Sequence, residues 1–206
     1  CEVNQNFADL VLKLAKPESI IWIHDYHLML LPALLKKQRP DLKVAFFLHT
    51  PFPSYEVFRR HPERKDLLRG LIAADLIGFH TYGYLRHFRS SVLRVLDIDS
   101  DMDGLISPYT TKLGVFPIGI SWNLFSRTMK SEEYKTKLAQ LEKNYLNKKL
   151  ILGVERLDYT KGIPEKLDAI EKLLKANPSL RDKIVFTQVL IPSREEVTTN
   201  QELLQL

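Results

Sequence analysis

Short apolar runs separated by helical stretches constrain this chain more than any other feature. Ser19–Ile23, Val44–Leu48, Leu76–Phe79, Leu113–Phe116, the run from Leu150 and the run Lys183–Val189 each read as a strand. Helical patterns lie among them at Phe7–Leu14, Leu28–Lys37, Tyr55–Arg60 and Asp66–Ala74. Another covers Tyr84–Leu96, with Leu85, Phe88, Val92, Leu93 and Leu96 on one apolar side. Strands separated by helices of ten or more residues build parallel sheets covered on both faces. The predicted fold class is therefore α/β with parallel sheets.

After Gly119 the character changes. Lys130–Lys149 is a polar, lysine-rich helical segment, and strand, loop and helix resume from Leu150 to Leu174. Pro117–Trp122 is the predicted hinge, which gives domains over 1–120 and 121–206. A chain of 206 residues accommodates one large α/β domain or parts of two. It opens without Met in what reads as a helix in progress, and Ser193–Leu206 reads as a helix cut short. The expectation is a piece of a longer protein, inactive when isolated.

Composition matters for what it excludes. With 45% hydrophobic and 27% charged residues, the chain suits a soluble, well-cored protein. Its formal charge of +5 tolerates anionic ligands, but lysines and arginines are spread out with no dense basic tract or interleaved aromatic series. Nucleic-acid binding therefore ranks low. No apolar run approaches the roughly 18 residues of a membrane span, and no signal-peptide pattern opens the chain. Cys1 is the single cysteine, which excludes an internal disulfide and fits a reducing, cytoplasmic compartment.

Chemistry-bearing residues fall where strands end. Val154-Glu155-Arg156-Leu157-Asp158-Tyr159-Thr160-Lys161-Gly162 places two permanent cations, Arg156 and Lys161, in a short loop leaving a strand expected to be buried. Pro164 suits the first turn of the helix that follows. Ligands of open α/β sheets collect at carboxyl strand ends, and an Arg fork plus a Lys point charge suits a phosphate or diphosphate there. Trp22-Ile23-His24-Asp25-Tyr26-His27 puts a carboxylate beside imidazoles at another strand end. Asp25 there either accepts hydrogen bonds from substrate hydroxyls or caps the helix beginning near Leu28, with equal weight. Zinc on His24, His27 and His49 is the weaker reading, since His24 and His27 straddle a strand-to-helix turn.

Phe46-Phe47-Leu48-His49-Thr50-Pro51-Phe52-Pro53 holds His49 in a proline-rigidified loop. A preorganised recognition or catalytic role is favoured over a plain rigid turn. Asp99, Asp101, Asp103 and Gly104 imitate a calcium loop, but Thr110 stands where its bidentate Glu belongs, so a solvated loop is preferred. Arg194 follows the strand ending near Val189 and repeats the placement of Arg156. Alone it would read as a solvated ion pair with Glu195 or Glu196.

Together these segments, with Asp75-Leu76-Ile77-Gly78-Phe79-His80-Thr81 and Pro117-Ile118-Gly119-Ile120, resemble the trehalose-6-phosphate synthase family of retaining glycosyltransferases. The motifs run in the family's order over nearly the whole chain. The resemblance implies a GT-B fold of two Rossmann-like domains flanking a cleft. This chain would hold the later acceptor-side portion of the first and the opening nucleotide-sugar portion of the second. It implies glucose transfer from UDP-glucose to glucose 6-phosphate, with retention, giving trehalose 6-phosphate and UDP. By match, Arg156 and Lys161 hold the donor diphosphate, His49 faces the donor glucose, Asp25 binds the acceptor sugar and Arg194 its phosphate. His49, Arg156 and Lys161 are thus the expected catalytic residues. No metal or cofactor beyond the UDP-glucose substrate is implied, and a homo-oligomer or a trehalose-synthesis complex is compatible. The family's glycine-containing N-terminal loop and downstream acidic segment are not in these 206 residues. A glucosylglycerol-phosphate synthase-like transferase and a non-catalytic regulatory or scaffold member are the alternatives.

Overall fold

The structure of the chain, a computed structural model, describes residues 2–101, 104–105 and 110–192. They fall into two compact units, residues 1–120 and 121–206.

In the first unit, β1 (Ile20–His24), β2 (Lys43–Phe47), β3 (Leu76–Phe79) and β4 (Lys112–Val115) pair in parallel, in the order of the chain. Helix α1 (Glu2–Leu14) precedes β1, and α2 (Leu31–Gln38) links β1 to β2. Helices α3 (Tyr55–Phe58) and α4 (Arg64–Leu71) link β2 to β3, and α5 (Tyr82–Leu96) links β3 to β4. A right-handed crossover that always steps in the same direction returns on the same side of the sheet. The consequence is a one-sided core. Val44 and Phe46 of β2 are buried, as are Ile77 and Phe79 of β3, with Leu35 of α2, Leu68 and Leu71 of α4, and Phe88 and Val92 of α5. Each such side chain contributes roughly 1.5–3 kcal/mol by leaving water. The other face leaves Ile20 73%, Trp22 65% and Phe116 50% exposed.

Three local devices hold this sheet. Asp75, just before β3, accepts from the Val44 amide at 2.6 Å and from Lys36 Nζ of α2 at 2.7 Å. It thus ties the last turn of α2 to the amino ends of two strands. Thr81 caps α5, its Oγ1 accepting from the Tyr84 amide at 3.3 Å. Gly78 has no side chain because a Cβ there would stand 2.6 Å from Phe47 Cδ2.

The helix expected from Leu28 begins at Leu31. Tyr26–Leu28 forms a separate 3-10 turn, and Pro32 sits at the start of α2, where its missing N–H is harmless.

The second unit contains α6 (Trp122–Met129), α7 (Glu132–Asn144), β5 (Lys149–Arg156), α8 (Ile163–Ala176) and β6 (Ile184–Ile191), with β5 and β6 paired in parallel. The single helix expected over Lys130–Lys149 is α7, shortened at both ends. Ser131 starts it by accepting from the Tyr134 amide at 3.2 Å, with Glu132 and Glu133 favourably placed in the first turn. Helix α6 was not anticipated. Nor is β5 buried as expected. Its only described partner is β6, and Leu152 remains 59% and Val154 57% exposed. Burying such a strand takes layers on both faces. Among the described residues, no helix is long and apolar enough to cross a membrane.

Candidate functional site

Parallel pairing brings the ends of β1, β2 and β3 to one edge, and each end delivers polar groups. His24 is the last residue of β1 and lies opposite Phe47 in the register. Asp25 follows it, and its amide donates to the Phe47 carbonyl at 2.9 Å. Its backbone has φ 68° and ψ 169°, a region almost confined to glycine that costs about 1–3 kcal/mol. Asp97 differs: at φ 59° and ψ 37° it takes the ordinary left-handed conformation that ends α5. The Asp25 side chain makes no cap bond to the turn it precedes, and its Oδ1 is buried with no hydrogen-bond partner among the described residues. The capping alternative is therefore not what the structure shows. A strained carboxylate with an unpaired buried oxygen is suited to accept from a ligand hydroxyl.

His49 lies two residues beyond β2. Its loop is fixed by Pro51 and Pro53 and by Phe52, which is buried 5.0 Å from the ring of Phe58 and 5.3 Å, edge-on, from Phe88. His49 Nε2 stands 2.9 Å from His24 Nδ1. The His24 ring also packs 4.6 Å from Trp22, and the His49 ring 4.8 Å from Phe47. His27 does not join them; it stacks on Tyr26 at 3.9 Å. The third imidazole at this edge is His80, just after β3, edge-on to His49 at 5.7 Å with Nδ1 buried and unpartnered among the described residues. Sequence reasoning gave His80 no role of its own. The readable signal was an imidazole at the ends of three successive strands.

In the second unit, Arg156 is the last residue of β5 itself, and Lys161 ends a 3-10 turn over Tyr159–Lys161. Asp158, only 5% exposed, shapes the link by accepting from the Thr160 amide at 2.9 Å and the Thr160 hydroxyl at 2.8 Å. Gly162, at φ 60° and ψ 41°, closes that turn in the left-handed region and starts α8 with Pro164 in its first turn. Neither the Arg156 nor the Lys161 side chain forms a salt bridge or hydrogen bond to another described residue, and both are exposed. Glu155 does not neutralise Arg156, because neighbouring strand residues point to opposite faces. It is instead bonded by Lys166 of α8 and, at 2.6 Å, by Gln188 Nε2 of β6. Lys166 first, then Gln188 and the charge of Lys161, hold its carboxyl below the usual glutamate range.

Arg194 lies outside the described residues, as does Asp103 of the calcium-like segment. There, Asp101 Oδ1 accepts from the Gly104 amide at 2.9 Å and Asp99 Oδ1 from the Ser100 amide at 2.7 Å. Among the described residues, no group of three or more His, Cys, Asp or Glu could hold a metal ion.

Parallel α/β units with polar groups gathered at carboxyl strand ends define the Rossmann-like class that receives small ligands at that edge. The chain belongs to glycosyltransferase family 20, whose sequence profile matches residues 1–206. It is 46% identical, over 98% of its length, to a UDP-forming α,α-trehalose-phosphate synthase of Pichia angusta, of which it covers 44%. A solved Escherichia coli structure described as trehalose-6-phosphate bound with UDP-2-fluoro glucose matches 99% of this chain and 46% of that one. The TM-score is 0.84 at 34% identity. The N-terminal domain of a Candida albicans trehalose-6-phosphate phosphatase matches 97% of this chain and 43% of that one, with a TM-score of 0.81 at 37% identity. The chain thus spans less than half the length of each. The α/β, parallel-sheet, GT-B type assignment stands on these findings.

Proposed function

We propose that the protein carrying this chain transfers glucose from UDP-glucose to glucose 6-phosphate with retention, yielding trehalose 6-phosphate and UDP. The observation that carries the reading is Asp25, whose strained backbone and buried oxygen, unpaired among the described residues, suit a group awaiting the hydroxyls of an acceptor sugar. The relatives' names supply the reaction. In this reading residues 1–120 belong to the acceptor-side domain and 121–206 to the nucleotide-sugar domain. Asp25 accepts from the acceptor sugar, and His49 faces the donor glucose. Arg156 and Lys161 hold the donor diphosphate, and Arg194 holds the acceptor phosphate. As the bond from glucose C1 to the diphosphate breaks, negative charge grows on UDP. Two cations, neither salt-bridged among the described residues, stabilise that charge more in the transition state than in the ground state.

A second reading is a non-catalytic member of the family, supported by the 37% identity to a domain of a protein named as a phosphatase. Arg156 and Lys161, neither of them salt-bridged among the described residues, support the catalytic reading against it. The test is a full-length assay with UDP-glucose and glucose 6-phosphate, following UDP release and product anomer. Glycerol 3-phosphate is the competing acceptor. Release of UDP with an α,α-linked product is expected. Absence of turnover favours the non-catalytic member, and preference for glycerol 3-phosphate overturns the acceptor.

A further inference from the structure

His49 has two ring nitrogens, and the fold has already engaged one of them. Its Nε2 lies 2.9 Å from His24 Nδ1, which leaves Nδ1 to address a ligand. Two imidazole nitrogens this close hold one proton between them, since two lone pairs or two N–H groups would repel. The tautomers of the two neutral rings are therefore coupled. If His24 donates, His49 carries its own proton on Nδ1. If His49 donates, its Nδ1 is a bare lone pair. A nucleotide sugar presents phosphate and hydroxyl oxygens. An N–H can bond to all of them, whereas a lone pair is repelled by phosphate oxygens.

We propose that His24 is a positioning residue for His49: its Nδ1–H donates to His49 Nε2 and holds His49 as the Nδ1–H tautomer, with that N–H available to the donor sugar. The ligand's identity rests on the glucosyl-transfer reading; the tautomer does not. The two rings are well placed for this. His24 is fixed by its position in β1 and by the Trp22 ring at 4.6 Å, and His49 by the Phe47 ring at 4.8 Å and by its anchored loop. His80 closes another side, edge-on at 5.7 Å, and no hydrogen bond joins it to His49. Both His24 and His49 are exposed, so no core packing depends on the His24 ring.

Long-range proton–nitrogen correlation spectra of the ¹⁵N-histidine-labelled full-length protein, taken where the imidazoles are neutral, test the assignment. His49 is expected in a single Nδ1–H pattern. His24→Asn places an amide donor near the position of Nδ1 and should preserve that pattern, whereas His24→Phe should abolish it. In the transfer assay, His24→Phe should lower kcat about 10–100-fold with the acceptor KM unchanged, and His24→Asn should recover most of the loss. An Nε2–H pattern for His49 in the unsubstituted protein overturns the proposal without reference to any variant. So does a His24→Phe protein with the same His49 pattern and kcat. A protein that shows the expected tautomer yet transfers no glucose would sink the transfer reading and leave the tautomer assignment standing.

Discussion

The strand ends of the two units handle their polar groups in opposite ways. In the first, the groups are tied to one another and to a strained backbone: His24 bonds His49, their rings lean on Trp22 and Phe47, and Asp25 sits where glycine belongs. In the second, the Arg156 and Lys161 side chains form no hydrogen bond or salt bridge among the described residues, and it is the backbone around them that is organised, by Asp158 and Gly162. The contrast separates two means of readiness. On the transfer reading proposed above, the first unit meets a sugar, which is distinguished by where its hydroxyls lie, so its receptors are fixed beforehand, even at a folding cost of about 1–3 kcal/mol. On the same reading the second unit holds a diphosphate by charge, and cations with no salt bridge among the described residues have none of those bonds to break before binding.

The largest effect that can break this contrast is loss of a cation. If the proposed transfer reading holds, Arg156→Ala or Lys161→Ala should each lower kcat/KM of the full-length protein by about 10²–10³, while unfolding free energy stays within about 0.5 kcal/mol. A stability loss of several kcal/mol would show that these side chains are structural after all. Asp25→Gly should do the reverse on stability. Relief of strain worth about 1–3 kcal/mol, less about 0.4–1 kcal/mol for the added freedom of the unfolded chain, should leave the protein about 1 kcal/mol more resistant to urea. Acceptor saturation should be abolished. A less stable glycine variant would remove the idea of an imposed backbone.

The smallest effect concerns pH. Glu155 is held below its ordinary range by Lys166, so its contribution is full above the unfolded glutamate pKa and is lost as pH falls through the depressed one. Acid titration of stability should therefore be steeper for the unsubstituted protein than for Glu155→Gln, the two curves converging at low pH. Parallel curves would mean that Lys166 and Gln188 do not favour the charged carboxylate.

The strands and most helices were legible in advance because apolar periodicity is local, and Pro51, Pro53 and Pro164 marked their turns correctly. What escaped depends on partners far along the chain. Nothing near His24 announces that its ring meets His49, since the meeting follows from the parallel register of β1 and β2. Nor does Asp75 advertise its bond to the Val44 amide, 31 residues away. Other misses were local and readable. Ser131 before Glu132 and Glu133 is a helix start, and Asp158 two residues before Thr160 is a side-chain turn. The exposure of β5 could not be read from its composition, because Leu150-Ile151-Leu152 says what a strand can bury and not how much of it is covered.

In the first unit the spatial sequence of strands repeats their order of synthesis. Among the described strands, β2, β3 and β4 each leave the ribosome after the neighbour they join. Each of these three pairings can therefore form as soon as its later strand is made, without waiting for the chain that follows.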